Sequence, residues 1–236
     1  MGYLFAECFV KEGGNVVLTG RDRGRLESAV NAINAIRAGS AIGVPCDVRD
    51  YEQVCAVRDA AVEAFGSIDV LVNFAGGSEI RMLGIDKSVE FPDVPIEVYE
   101  WGLDVNLKGQ LYFDHAVLKQ MREQKSGVII HLGSIVGEEG SASTVAYSAA
   151  KSGAMHGLTR SVALYGGKYG IRCNCISPGP VLTRPGMAGK KTLLGRAAET
   201  QEIVDLILFV ASDKAAFLTG EDILIDGGRR VLRNKT

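Results

Sequence analysis

Residues 128–151 read VIIHLGSIVGEEGSASTVAYSAAK. Val128–Leu132 is a short apolar run of the kind carried by a strand covered on both faces of a parallel sheet, and it stops at Gly133-Ser134. Ser134 therefore belongs at the carboxyl end of a buried strand, where open α/β sheets bind their ligands. Ala146 to Leu164 has the pattern of a helix, and positions four apart on a helix lie above one another, so Tyr147 and Lys151 can face one site. A phenol with an ordinary pKa of about 10 carries protons poorly at neutral pH, but a neighbouring ammonium favours the phenolate. An exposed helix also shows Tyr and Lys at this spacing. Ser134 thirteen residues before Tyr147, the strand leading into it and the small residues Ser148-Ala149-Ala150 favour a proton relay instead.

Outward from this stretch, strands alternate with helices. Towards the amino end, Leu4, Phe5, Cys8 and Phe9 give Met1 to Lys11 a helical spacing that Gly13-Gly14 closes. Asn15–Thr19 is a strand, Arg23–Ala38 an amphipathic helix, Ala41–Val44 a strand, Asp50–Phe65 a helix and Asp69–Asn73 a strand. Residues 78–95 show no period and read as a loop. Ile96–Met121 reads as one long helix with Asn106 in its middle, where an Asn tends to interrupt because its side chain competes for backbone hydrogen bonds. Towards the carboxyl end come a strand at Ile171–Ile176, a mobile loop at Arg184–Gly195, a helix at Thr200–Ala211, a last strand at Asp222–Ile225 and a solvated basic tail at Arg229–Lys235. The alternation implies one domain over residues 1–236, an α/β fold with a doubly wound (Rossmann-like) parallel sheet flanked by helices.

Composition narrows the function. The 236 residues carry 26 basic and 28 acidic side chains, interspersed, so there is no cationic field for nucleic acid. No apolar run approaches the eighteen or so residues that cross a bilayer. Cys8, Cys46, Cys55, Cys173 and Cys175 form no disulfide framework, which suits a reducing, cytoplasmic setting; Cys173 and Cys175 read as core. His115, His131 and His156 have no metal-ligand spacing, so no metal is expected. The sequon at Asn234 reads as chance.

Taken in order, the motifs resemble the short-chain dehydrogenase/reductase family, compact subtype, over essentially the whole chain. Asn73-Phe74-Ala75-Gly76 is similar to the family's N-N-A-G turn, Asn106 to its mid-helix asparagine, Ser134 to its active-site serine, and Tyr147 with Lys151 to its Y-x-x-x-K pair. Pro178-Gly179 with Thr183 resembles the segment that contacts the nicotinamide amide, and Asp226-Gly227-Gly228 the usual ending. The resemblance implies that Tyr147 is the general acid or base and that Ser134 orients the substrate oxygen. Lys151 would lower the tyrosine pKa and hold the nicotinamide ribose, and Asn106 would help fix a water in the relay. The cofactor-binding set it implies is Gly2, Arg21, Asp47, Val48, Asn73, Ala75, Gly76, Tyr147, Lys151, Pro178, Gly179 and Thr183. Where an acid would select NAD(H), Gly20 and then Arg21 stand, which favours NADP(H).

One departure matters. The family opens with a buried strand and a G-x-x-x-G-x-G turn that receives the pyrophosphate, and Met1-Gly2 matches only the last two positions of that turn. The missing strand would lie between those at Asn15–Thr19 and Asp69–Asn73, leaving both with unpaired backbone groups. A truncated form is therefore expected, one that binds NADP(H) weakly or not at all and folds poorly. The 78–95 loop is also longer than usual and the segment from Thr183 to Gly195 shorter.

The leading expectation is an NADP(H)-dependent oxidoreductase interconverting a ketone and a secondary alcohol, similar to 3-oxoacyl-carrier-protein reductases. The alternatives are an NAD-dependent sugar or polyol dehydrogenase and a non-catalytic Rossmann-like subunit. A sugar-nucleotide epimerase also uses Y-x-x-x-K but needs a longer chain. By resemblance, the helices around Asn106 and after Tyr147 form a homodimer or homotetramer interface.

Overall fold

The computed structural model describes residues 1–86 and 88–232; the sequon at Asn234 and the end of the basic tail lie outside them. The chain runs α1 (Gly2–Lys11), β1 (Val16–Gly20), α2 (Arg23–Ile36), β2 (Ala41–Pro45), α3 (Tyr51–Phe65) and β3 (Val70–Asn73). It continues through α4 (Glu79–Met82), α5 (Ile96–Leu103), α6 (Gly109–Gln124), β4 (Gly127–Leu132), α7 (Ile135–Glu139) and α8 (Val145–Ser152). The last elements are α9 (Thr159–Gly166), β5 (Ile171–Pro178), α10 (Thr200–Ala211) and β6 (Asp222–Ile225). Local chemistry sets the limits of α3: the Asp50 carboxylate caps the amides of Glu52 and Gln53, and Gly66 ends the helix in the left-handed region at φ 80°. Among the described residues no helix is long and apolar enough to cross a membrane.

All strand pairs are parallel, in two separate sheets, β1-β2 and β3-β4-β5-β6. The division falls between β1 and β3, as the resemblance led us to expect. A cavity of about 710 Å³ separates the two edges, lined on one side by Val16 to Gly20 and on the other by Val70 to Asn73. The amide of Val16 donates to Ser40 and the carbonyl of Gly20 accepts from Cys46, so alternation turns the amides of Val17 and Thr19 towards the cavity. On the far side Asp69 accepts from Val128, which turns the amides of Val70 and Val72 towards it as well.

Helices hold the two sheets together. On one face α1 packs in two directions: Phe5 joins Ile130, Ile176 and the aliphatic side of α10, while Ala6 and Val10 join Val16 and Ile33. On the other face Val54 and Val57 of α3 meet Phe113 and Ala116 of α6, with Val17 and Leu71 against them. The main core lies on β4 and β5, where Ile129, Ile130, Cys173, Cys175 and Ile176 are fully buried. Both thiols read as core are core.

Four readings need correcting. Residues 78–95 are not plain loop but contain α4, seated through Ile80 on Val94 and Val98. Ile96–Met121 is not one regular helix: a π-turn over Asp104–Lys108, centred on Asn106, separates α5 from α6, as the asparagine's competition for backbone bonds predicts. A second π-turn, Gly153–Leu158, divides the helix after Tyr147. The start of the tail is not freely solvated either, because Arg229 pairs with Glu139 at 3.3 Å.

Candidate active site

Ser134 follows the end of β4 and caps α7, its hydroxyl accepting from the Val136 amide at 3.3 Å. The Ser148 hydroxyl ties α8 back to α7 through the Val136 carbonyl at 2.9 Å, which lays the start of α8 beside Ser134. Tyr147 and Lys151, one turn apart on α8, therefore reach the same place. The Lys151 ammonium is buried, donates to the Leu132 carbonyl at 2.5 Å and lies 5.6 Å from the Tyr147 ring centroid. Asn106 completes the group from the π-turn. Its amide nitrogen donates to the carbonyls of Gly77 and Gly102 and its oxygen accepts from the Gly77 amide, all at 2.9 Å.

The electrostatics differ from the expectation in one respect. Burial pushes the Tyr147 phenol above its ordinary value and outweighs the side-chain hydrogen bond with Ser134 and the charges of Arg184 and Arg81, which pull it down. The Glu79 carboxylate pushes it further up. The Lys151 ammonium lies over the ring and is itself desolvated, which brings its own pKa down to about 8. The Asn106 carbonyl accepts from the Gln110 amide at 2.6 Å, and its side chain clamps the Gly76-Gly77 turn.

That turn brings the backbone beside the catalytic group. A Cβ at Gly76 would stand 2.7 Å from the Asn106 oxygen and 3.3 Å from the Lys151 ammonium, so only glycine fits. At Gly179, which follows Pro178 at the end of β5, a Cβ would stand 2.6 Å from the Asp226 Cα. Thr183 is exposed, its amide on the Val181 carbonyl at 2.7 Å. Gly2, Arg21, Val48, Asn73 and Ala75 border the cavity between the two sheets. Asn73 is buried and donates to Asp114 at 3.3 Å. The Asp47 carboxylate is tied to Arg49 at 2.6 Å, which with the nearby Arg21 holds it below the usual carboxylate range. The structure thus forms two groups, Ser134, Tyr147, Lys151, Asn106 and Gly76 around α8, and Gly2, Arg21, Val48, Asn73 and Ala75 along the cavity, which Asp47, Pro178, Gly179 and Thr183 do not line.

Sequence reasoning missed Glu79, Arg81 and Arg184. All three act on Tyr147 from segments read as loops, and neither a period nor a motif marks them.

A family model described as enoyl-(acyl carrier protein) reductase matches residues 1–230. The trans-4-hydroxycyclohexanecarboxylate dehydrogenase of Sinomonas cyclohexanicum is 40% identical, over 99% of this chain and 90% of that protein. The chain is a short-chain dehydrogenase/reductase. The L-rhamnose 1-dehydrogenase (NAD(P)(+)) of Azotobacter vinelandii is 36% identical, over 94% of this chain and 89% of that protein. Among solved structures, the sorbitol-6-phosphate 2-dehydrogenase of Erwinia amylovora superposes with a TM-score of 0.86 at 28% identity, over 96% of this chain and 94% of that one. This short-chain dehydrogenase/reductase is accordingly an NAD(P)-dependent oxidoreductase acting on an alcohol or a carbonyl compound.

Proposed function

We propose that this enzyme interconverts a ketone and a secondary alcohol with NADP(H), with Tyr147 giving or taking the proton on the substrate oxygen. The convergence of Ser134, Tyr147 and Lys151 beneath the Gly76 turn carries the reading. Ser134 holds the substrate oxygen and supports the phenolate, and the buried Lys151 supplies the positive charge on which that anion rests. Asn106 fixes the turn against which the cofactor lies. When bound, the nicotinamide supplies or accepts the hydride. Gly76, Pro178, Gly179, Thr183, Tyr147 and Lys151 hold its end of the cofactor, and Gly2, Arg21, Asp47, Val48, Asn73 and Ala75 the rest. The first amides of α1 have no side-chain cap and are left for a phosphate.

The preference for NADP(H) rests on Arg21, exposed at the carboxyl end of β1, and on Asp22, whose carboxylate already caps α2 through the Arg25 amide at 3.0 Å. A sugar or polyol dehydrogenase using NAD is the second reading, favoured by the relative whose name gives both cofactors. Exposed Leu103 and Leu111 flanking the π-turn, with Leu164 on α9, support a homodimer or homotetramer, which sedimentation tests.

The test is Tyr147→Phe, assayed at millimolar NADPH or NADH against trans-4-hydroxycyclohexanecarboxylate, L-rhamnose and sorbitol 6-phosphate. Removing the proton carrier lowers turnover by about 10²–10⁴-fold. Turnover equal to the parent's would contradict the assignment. Faster turnover with NADH than with NADPH would move the cofactor preference to the second reading.

A further inference from the structure

Helix α8 begins in an unusual way. Its N-cap, Thr144, makes no side-chain bond to the helix, because the Thr144 hydroxyl is turned to Ser141 at 2.7 Å. The open amides are taken instead by a carboxylate from far away in sequence. Glu79 on α4 accepts from the Ala146 amide at 3.1 Å and from the Tyr147 amide at 3.2 Å, one oxygen to each. Its side chain is fully buried, and among the described residues no lysine or arginine lies within ion-pair distance of it. A carboxylate without a cation is tolerated in such a place only where several donors face it, which here are the helix amides and the positive end of the helix dipole. The surroundings are built to fit. Gly102 of α5 leaves the room, since a Cβ there would stand 2.9 Å from the Ala146 Cβ and 3.2 Å from the Glu79 Cβ.

We propose that Glu79 is a positioning residue for the reaction: by capping α8 at Ala146 and Tyr147, it fixes the Tyr147 phenol against Ser134 and Lys151. The clamp fastens the backbone of the catalytic residue itself. It also makes α4, together with the segment that carries it, part of the active-site scaffold. The same negative charge opposes ionisation of the phenol, so Glu79 influences both where Tyr147 sits and the pH at which it gives up its proton.

The inference rests on Tyr147 being the proton carrier, and the experiment separates the two claims. The protein is compared with Glu79→Gln, Glu79→Asp and Tyr147→Phe. Phenol ionisation is followed by ultraviolet difference titration, with Tyr147→Phe subtracted to isolate that one tyrosine. Without the carboxylate charge, Tyr147 of Glu79→Gln titrates at lower pH than in the parent, and the rising limb of alcohol oxidation moves to lower pH with it. Its kcat falls between about ten- and a hundredfold with a smaller change in KM, because a displaced proton carrier weakens the chemical step more than binding. Glu79→Asp, which keeps the charge, returns the titration towards the parent's. A parent-like titration and parent-like kcat in Glu79→Gln would overturn the proposal even if Tyr147→Phe were inactive. Full turnover by Tyr147→Phe would instead remove the reading beneath it. Should the substitutions fail to fold, amide hydrogen exchange of the parent decides: the Ala146 and Tyr147 amides are expected to be protected at least as well as the amides in the middle of α8. Exchange as fast as at an uncapped helix end would refute the clamp.

Discussion

The two sides of this molecule are built differently from similar material. β4 and β5 are paired on both edges, covered on both faces and fully buried at Ile129, Ile130, Cys173, Cys175 and Ile176. β1 and β3 are just as apolar, yet each is paired on one edge only, and Val17, Leu18, Val70, Leu71 and Val72 remain half-buried. Ser134, Tyr147 and Lys151 are anchored to the closed side, and the residues assigned to the far end of the cofactor border the open one. A proton relay depends on geometry held within a fraction of an ångström, whereas phosphate and ribose contacts form along a surface, so a rigid seat matters more for the first.

The largest test of this contrast applies the same kind of truncation to each side. Ile130→Ala opens a cavity in the closed core and destabilises the protein by about 2–5 kcal/mol, whereas half-buried Val17→Ala does so by about 1 kcal/mol or less, both measured by denaturant unfolding. Equal losses would erase the distinction. A smaller effect is expected at the junction of the two sides. Gly76→Ala forces a methyl against the Asn106 oxygen and the Lys151 ammonium, at a cost of about 1–3 kcal/mol, and lowers turnover through the displaced relay. Parent-like stability and rate would show that the turn is looser than its contacts imply.

The smallest effect is one of pH. Burial holds Lys151 at about 8 in the folded protein, below its ordinary 10.5, so the unfolded chain binds more protons between those values. The desolvation penalty therefore acts in full below pH 8 and is relieved as pH rises towards 10.5. Relative to Lys151→Met, which has no such proton, the parent gains melting temperature across that window. A difference between the two that stays flat, or that falls with pH, would contradict the burial of a charged group here.

The contrast also explains what the sequence disclosed. The strands of the closed side and the Ser134, Tyr147 and Lys151 set were legible because both follow local periods, two faces of a strand and one face of a helix. Asn106 was legible as an interruption, because its side chain competes with the helix wherever that helix packs. The gap between β1 and β3 was expected only through the family resemblance, since strand order is not written in any local period. Glu79 was not legible at all: it lies 67 and 68 residues from the amides it caps, on a helix of four residues that is too short to show a period. The depth at which Lys151 is buried was likewise hidden, because spacing gives the shared face but not the depth of burial.

Amide hydrogen exchange, read residue by residue in the parent protein, tests the contrast most directly. The account predicts fast exchange at Val17, Thr19, Val70 and Val72, whose amides face the cavity, and slow exchange at Ile129, Ile130 and Cys173 in the closed core. Slow exchange at the first four, matching the core, would mean that the two sheets are joined in solution and would contradict the division on which this account stands.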